Sequence, residues 1–401
     1  MQTYHQLLPL ATGYFGVSSA LYDFDGLVVI YGPAGGAWHI NIEDEPRWYR
    51  GPATVVGAGI LEMDVILGNE NKFIDNIVRA ASELKRRFVA LTGTPISEII
   101  GTDLRGLARM IETRTGLPTF MTPTAGSEPY SQGASKAFLA LADKFMDPHA
   151  PKRPNGINVL GAVHLSLGKE AHVQPLLDGL EKEGFELVGV LSAPRPGGGD
   201  PLQGVRDAPG AALNLVVSAS GVDLAERMYA QYGVPYVTGL PVGRYGWAAL
   251  QALLRGEEPP QAPAAPERTN LRHALVIGEP VMSEGVRCCL RHDFGVPAVD
   301  VVSVQPRGGL LQASEARRGS LMSSGPADAE TDDEQEIAAL MNAPDVDCVV
   351  ADPCYRPLLE EGAAARFIPL PHIAMSARIH WDLPYEYALE AGYGYVAEQL
   401  A

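Results

Sequence analysis

Eight short apolar runs rich in β-branched residues punctuate this chain, and each leads into a segment with helical periodicity. They are Leu27 to Ile30, Phe88 to Thr92, Ile157 to Leu160, Leu187 to Leu191, Leu213 to Ser218, His273 to Ile277, Ala298 to Val304 and Asp347 to Ala351. A strand followed by a helix, repeated, is the pattern of parallel strands joined by crossover helices. Most of the runs are apolar throughout rather than alternating, as expected when helices cover both faces of a sheet. The chain is therefore predicted to be α/β.

Two breaks divide the pattern. From Asp147 to Gly156 three prolines remove backbone donors and restrict their neighbours, so no helix can continue there. Between Gly256 and Thr269 the chain is richer still in proline and has no apolar period, which reads as a linker. These breaks predict three domains, residues 1–150, 151–260 and 261–401. The acidic stretch Asp328 to Glu336 reads as a loop entering a solvated helix.

The 401 residues, 46% of them hydrophobic, are enough to bury several cores. With 48 acidic against 31 basic side chains the net charge is −17, which disfavours nucleic acid and anionic membrane as partners. No apolar run approaches the roughly 20 residues of a membrane span, and no signal peptide is apparent, so a cytoplasmic location is expected. The four cysteines, Cys288, Cys289, Cys348 and Cys354, lack paired C-x-x-C spacing and read as buried reduced thiols. Gly168-Lys169-Glu170 misses the Ser/Thr of a phosphate loop, and Gly57-Ala58-Gly59 lacks the third glycine of a dinucleotide fingerprint. ATP hydrolysis and autonomous NAD binding are both poorly supported. His164 follows a predicted strand end, where open α/β sheets place their ligands. Glu62, Asp64, Glu98 and Asp103 stand beside Gly-rich turns, where helix capping is the simplest role for a carboxylate.

Three blocks occur in fixed order in the first third: Tyr31-Gly32-Pro33-Ala34-Gly35-Gly36-Ala37-Trp38-His39, Leu61-Glu62-Met63-Asp64-Val65-Ile66-Leu67-Gly68-Asn69, and Leu91-Thr92-Gly93-Thr94-Pro95 running on to Glu98-Ile99-Ile100-Gly101-Thr102-Asp103. Further on come Asn214 to Ser218 with Gln231 to Tyr236, then Phe367 to His372 and Glu390 to Tyr395. Together these blocks resemble the nitrogenase component 1 family, which includes cofactor-assembly scaffolds and dark-operative protochlorophyllide reductase. The resemblance implies three Rossmann-like parallel-sheet domains around a central cleft.

It also implies sites whose thiols are missing. Gly36 and Pro95 stand where the family has cluster cysteines, and no thiol is available near Leu10-Ala11-Thr12 for the remaining one. Ser218 stands at the cysteine that anchors the family's active-site cofactor, and His372 lies close to its histidine. His164 joins these two as a candidate cofactor-binding residue. Iron in clusters is held mainly by thiolates, so the chain has no self-sufficient cluster site and dinitrogen reduction is not expected. Asp23 and Asp25 are candidate oxygen ligands, because the resemblance extends to a reductase that uses one aspartate; a solvated turn before the strand is the other reading. The function implied is an oxidoreductase subunit that receives low-potential electrons from a separate ATP-dependent iron–sulfur reductase. Its possible iron–sulfur cluster would be shared with a cysteine-bearing sister subunit or formed in a homodimer. A non-catalytic metallocofactor-binding scaffold or partner of the same fold is the alternative. The substrate and the catalytic acid are not selected by any residue.

Overall fold

The computed structural model describes residues 6–35, 47, 55–124, 127–262, 269–325 and 327–401. Three parallel sheets carry the fold. The first holds β1 (Leu27–Tyr31), β2 (Val55–Gly57), β3 (Val89–Gly93) and β4 (Thr119–Thr122) in the order β2-β1-β3-β4. The second holds β5 (Arg153–Leu160), β6 (Glu186–Val190), β7 (Ala211–Val216) and β8 (Tyr236–Thr238) in the order β8-β7-β5-β6. In the third, β9 (His273–Gly278) and β10 (Ala298–Ser303) are followed along the chain by β11 (Arg317–Ser320), which leaves to pair with β8 at the edge of the second sheet. With β12 (Ala329–Glu330), β13 (Cys348–Ala351) and β14 (Arg366–Pro369) the third sheet has the order β12-β10-β9-β13-β14. Every strand pair in these sheets is parallel.

The buried first strand shows why its run is apolar throughout. Successive side chains point to opposite faces. Leu27, Val29 and Tyr31 join one core with Phe73, Ile77, Leu107 and Ile111, contributed by the helices Glu70–Leu84 and Leu104–Thr115. Val28 and Ile30 enter a second core with Phe120, Phe138 and Leu141, the last two from the helix Tyr130–Phe145. Local signals set the ends of these helices. Asp103 caps one by accepting from the Gly106 amide at 2.9 Å, and Gly116, at φ 69°, closes the same helix in the left-handed region.

All eight apolar runs lie on strands, but two local expectations differ. β5 begins at Arg153, inside the proline-rich break, and passes through the exposed residues Pro154 and Asn155 where its ladder is irregular. A proline is tolerated where the strand makes no regular pairing. Asp328 does not begin a solvated segment. Its carboxylate is buried, paired with Arg287 and hydrogen-bonded by the amides of Gly325 and Val301.

The helix Gly13–Leu21 crosses Tyr130–Phe145 with the two backbones in contact. A Cβ on Gly16 would stand 1.9 Å from the Tyr130 carbonyl oxygen, and one on Gly133 would stand 1.9 Å from that of Gly13. Gly16→Ala is therefore expected to force the helices apart and cost about 1–3 kcal/mol. Gly394→Ala, at an exposed helical position with open space around the added methyl, should instead gain up to about 1 kcal/mol. Urea unfolding midpoints of the two variants check both signs.

Candidate functional site

The helix crossing fixes Tyr130 at a point where all three sheets' connections meet. Its backbone amide donates to the Ala11 carbonyl at 3.1 Å, and the Ala11 amide donates to the Ala374 carbonyl at 2.8 Å. The strap Leu10-Ala11-Thr12 is thus hydrogen-bonded between the first and third segments. The Tyr130 ring is fully buried. Its hydroxyl lies 3.0 Å from Ser166 Oγ and 2.9 Å from His372 Nε2, and accepts from Gln305 Nε2 at 3.2 Å. One phenol therefore joins the loop after β5, the loop after β10 and the loop after β14.

The residues expected to line a cofactor site converge on the same loops. Ser218, fully buried after β7, donates to the Gly161 carbonyl at 2.5 Å. His164 opens the short helix His164–Leu167, which also carries Ser166, so residues 161–167 connect the Ser218, His164 and His372 neighbourhoods. His372 caps the helix Ile373–Ser376 and donates its backbone amide to Asp352 Oδ2 at 2.7 Å. Both histidines are held neutral. Burial pushes His372 down to about 4 against a weaker upward pull from Asp352, and burial pushes His164 well down, with Arg47 adding to the effect. The His164 Nε2 and His372 Nδ1 atoms are buried without hydrogen-bond partners.

Sequence reasoning missed two members of this junction. Tyr130 stands in a helix of small residues with nothing in its neighbours to single it out. Glu279 follows β9 and caps the helix Pro280–His292. It accepts from the Met282 amide and, across to the second sheet's loops, from the Ala219 amide, each at 2.8 Å. Burial raises Glu279 to about 7, with the amides of Ala219, Met282 and Val281 pulling it back. The signal available was its position: an acidic residue directly after a strand and before Pro280, which is an N-cap pattern.

The first-segment candidates lie apart from this junction. Asp23 pairs with Arg47 and Asp25 with Arg86, each at 2.6 Å, and Asp25 adopts the left-handed φ of 57° in the turn before β1. Pro95 is the first residue of the helix Pro95–Ile99, behind a Thr94–Ser97 capping box. A proline fits that position because its missing donor is not needed there. Gly36 lies outside the described residues. The four cysteines all belong to the third segment, on Pro280–His292, on β13 and just after β13. The described residues at the expected positions therefore do not fit an iron–sulfur group held by this chain alone: Pro95 has no donor, and the Ser218 hydroxyl is already bonded.

At the C-terminal edge of the first sheet the surface is apolar instead. Leu61 (60% exposed), Ile66 (67%), Leu67 (70%) and Ile99 (82%) project from Glu62–Ile66 and its flanks and from Pro95–Ile99. A cavity of about 150 Å³ lies between the two, lined by Ile60, Asp64, Val65 and Ile100 to Thr102. Asp64 is not a free acid there; Lys72 donates to it at 3.0 Å and holds its carboxyl below the usual range.

Beside the junction, His172 packs its ring 4.4 Å from that of Tyr385, and burial lowers it to about 4 from an ordinary 6.5. A depressed value means that the unfolded chain binds the proton first. The stability contributed by neutral His172 is complete above pH 6.5 and is lost as pH falls towards 4. His172→Gln should remove about one proton from the slope of folding stability against pH in that window, on the order of 3 kcal/mol when integrated. Chemical unfolding of both proteins at a series of pH values measures it, and parallel curves would contradict it.

Comparison with known proteins agrees with this architecture. The family model described as Nitrogenase component 1 type Oxidoreductase matches residues 12–393. A nitrogenase iron-molybdenum cofactor biosynthesis protein NifE of Clostridium pasteurianum is 28% identical over 222 residues, covering 53% of this chain and 46% of that one. The nitrogenase molybdenum-iron protein alpha chain of Methanosarcina barkeri is 26% identical over 199 residues, 48% of this chain and 35% of that one. The matched region is thus about half of this chain and less than half of each relative's length. The solved structure described as Nitrogenase Cp1 at pH 6.5 superposes with a TM-score of 0.72 at 16% identity, covering 100% of this chain and 90% of that one, and so shares its fold. With three parallel sheets meeting at one junction and a family match over nearly its whole length, the chain belongs to the nitrogenase component 1 type oxidoreductases.

Proposed function

We propose that this chain is a partner or scaffold subunit of a nitrogenase-like assembly, one that handles a metallocofactor together with a cysteine-bearing sister. The observation that carries the reading is the apolar edge of the first sheet. Leu61, Ile66, Leu67 and Ile99 cluster around the turn where Pro95 replaces a thiol of the family, so a surface for a partner stands where this chain's own ligands are lacking. Exposed apolar clusters of this kind mark interfaces. The biosynthetic role named for the NifE relatives supports the scaffold form of the reading.

The reductase form remains the second reading, favoured by the family's oxidoreductase character. In it a shared iron–sulfur cluster would lie at the same apolar edge and accept electrons from an ATP-dependent iron–sulfur reductase. Asp23 and Asp25 would then share their carboxylates between the metal and the arginines they already pair with, Arg47 and Arg86. Ser218, His164 and His372 would face the bound cofactor in either form.

Anaerobic purification of the chain, alone and co-expressed with its genomic neighbours, separates these outcomes. The expected result is a chain that alone holds no iron–sulfur cluster and a hetero-oligomer when co-expressed, with association weakened roughly thirtyfold by Ile99→Glu, as for an interface residue worth about 2 kcal/mol. Iron and sulfide in the complex, with electron uptake from the reductase, would select the second reading. Iron together with acid-labile sulfide loaded by the isolated chain, or association indifferent to Ile99→Glu, would overturn the proposal.

A further inference from the structure

A different set of donors stands on the far side of His372. Asp352 follows β13 and is buried; Cys354 and His380 are half-buried. Each offers one ligand atom, and these atoms lie within 4.8 Å of one another. Cys354 Sγ and His380 Nε2 are 3.9 Å apart. Two donors on one tetrahedral zinc ion, with bonds of about 2.3 Å to sulfur and about 2.0 Å to nitrogen, stand about 3.6 Å apart. The pair needs to close by only a few tenths of an ångström.

The carboxylate is already aimed. Asp352 Oδ2 accepts from the His372 amide and from Ser376 Oγ, each at 2.7 Å, while Oδ1 accepts from the Cys354 amide at 2.8 Å. A carboxylate offers about four lone-pair sites. The backbone and hydroxyl donors use three, which leaves one direction on Oδ1, beside the thiol. Bonds of this kind orient a ligand and hold it ready. Ala377, at φ 47°, turns the chain after Ser376 so that His380 comes back over the loop carrying Cys354.

We infer that Asp352, Cys354 and His380 form a site for one divalent transition-metal ion of the zinc or ferrous class, bound through one oxygen, one sulfur and one nitrogen with a fourth position open. The mixed donor set suits a borderline ion rather than calcium or magnesium, which take oxygen ligands. Ser376 and Ile379, neighbours of the site in space and in sequence, line an apolar cavity of about 620 Å³ with Leu8, Leu10 and Phe15. A metal here would therefore have an apolar chamber beside its ligands. The alternative use of a Cys–His pair, as a nucleophile and its base, is disfavoured. Asp352 contacts the thiol rather than orienting the histidine. The assignment is independent of the proposed docking role, since it uses no first-sheet residue.

Cobalt(II) titration of the chelator-treated full-length chain tests it, because a cobalt–thiolate bond absorbs in the near ultraviolet. The expected result is a thiolate-to-cobalt band that saturates at one equivalent and is displaced by zinc. Cys354→Ser should abolish the band, His380→Ala should weaken binding at least roughly tenfold, and Cys288→Ser should leave both unchanged. Asp352 is left intact because it also holds His372 and Ser376. Far-ultraviolet circular dichroism and urea midpoints confirm that the three variants, all at half-buried positions, remain folded. No band at stoichiometric cobalt, or a band that survives Cys354→Ser, overturns the assignment.

Discussion

The contact on which the rest of this molecule depends is the approach of two backbones at Gly13, Gly16 and Gly133. Side chains at Gly16 or Gly133 would hold the helices Gly13–Leu21 and Tyr130–Phe145 apart, because an added Cβ would fall 1.9 Å from a carbonyl oxygen at either position. With glycine there, the second helix sits deep enough for Tyr130 to reach the loops of the second and third sheets. A buried hydroxyl without partners would be costly, so the surrounding loops must deliver Ser166, His372 and Gln305 to it. Close packing in the first segment thus dictates polar order in the other two.

This junction changes the meaning of the missing thiols. Pro95 starts a helix for which its ring is suited, Ser218 bonds the Gly161 carbonyl, and His372 shares its ring nitrogen with Tyr130. Each of these three residues has a structural role within this chain. A ligand entering between the sheets would meet His164 Nε2 and His372 Nδ1 unpartnered, but would have to displace the hydrogen bonds of Ser218 and the Tyr130 hydroxyl, which raises the cost of binding there. At the first sheet's edge the balance is opposite: apolar side chains remain in water, and covering them is favourable.

Much of this was legible in sequence because the most informative strands are buried on both faces. The eight apolar runs correspond to β1, β3, β5, β6, β7, β9, β10 and β13, which include the central strand of every sheet. The strands that gave no signal are short or peripheral. β2 and β12 have three and two residues at sheet edges, and β8 has three; β4 and β14 are edge strands of four. β11 could not be read as part of the second sheet at all, since its pairing with β8 is a tertiary choice made by a polar segment, Arg317-Arg318-Gly319-Ser320. The site was legible in part for the same reason. Ser218, His164 and His372 follow strands, whereas Tyr130 is recruited by a helix crossing that no local pattern announces.

The distribution of sulfur extends this reasoning. All four thiols belong to the third segment, and their surroundings differ in kind. Cys348 is buried in the apolar core, where a thiol behaves as a small hydrophobe, and Cys289 is buried with its thiol against the Asp293 carboxylate; burial pushes both up and keeps them protonated. Cys288 shares that helix and is likewise pushed up to about 12. Cys354 stands instead just beyond a strand's C-terminal end, where Asp352 and His380 supply a carboxylate and an imidazole. Burial penalises the thiolate at every one of these positions. Only beside Cys354, among the described residues, do two further donors of other chemistry stand close enough for a cation to offset that penalty.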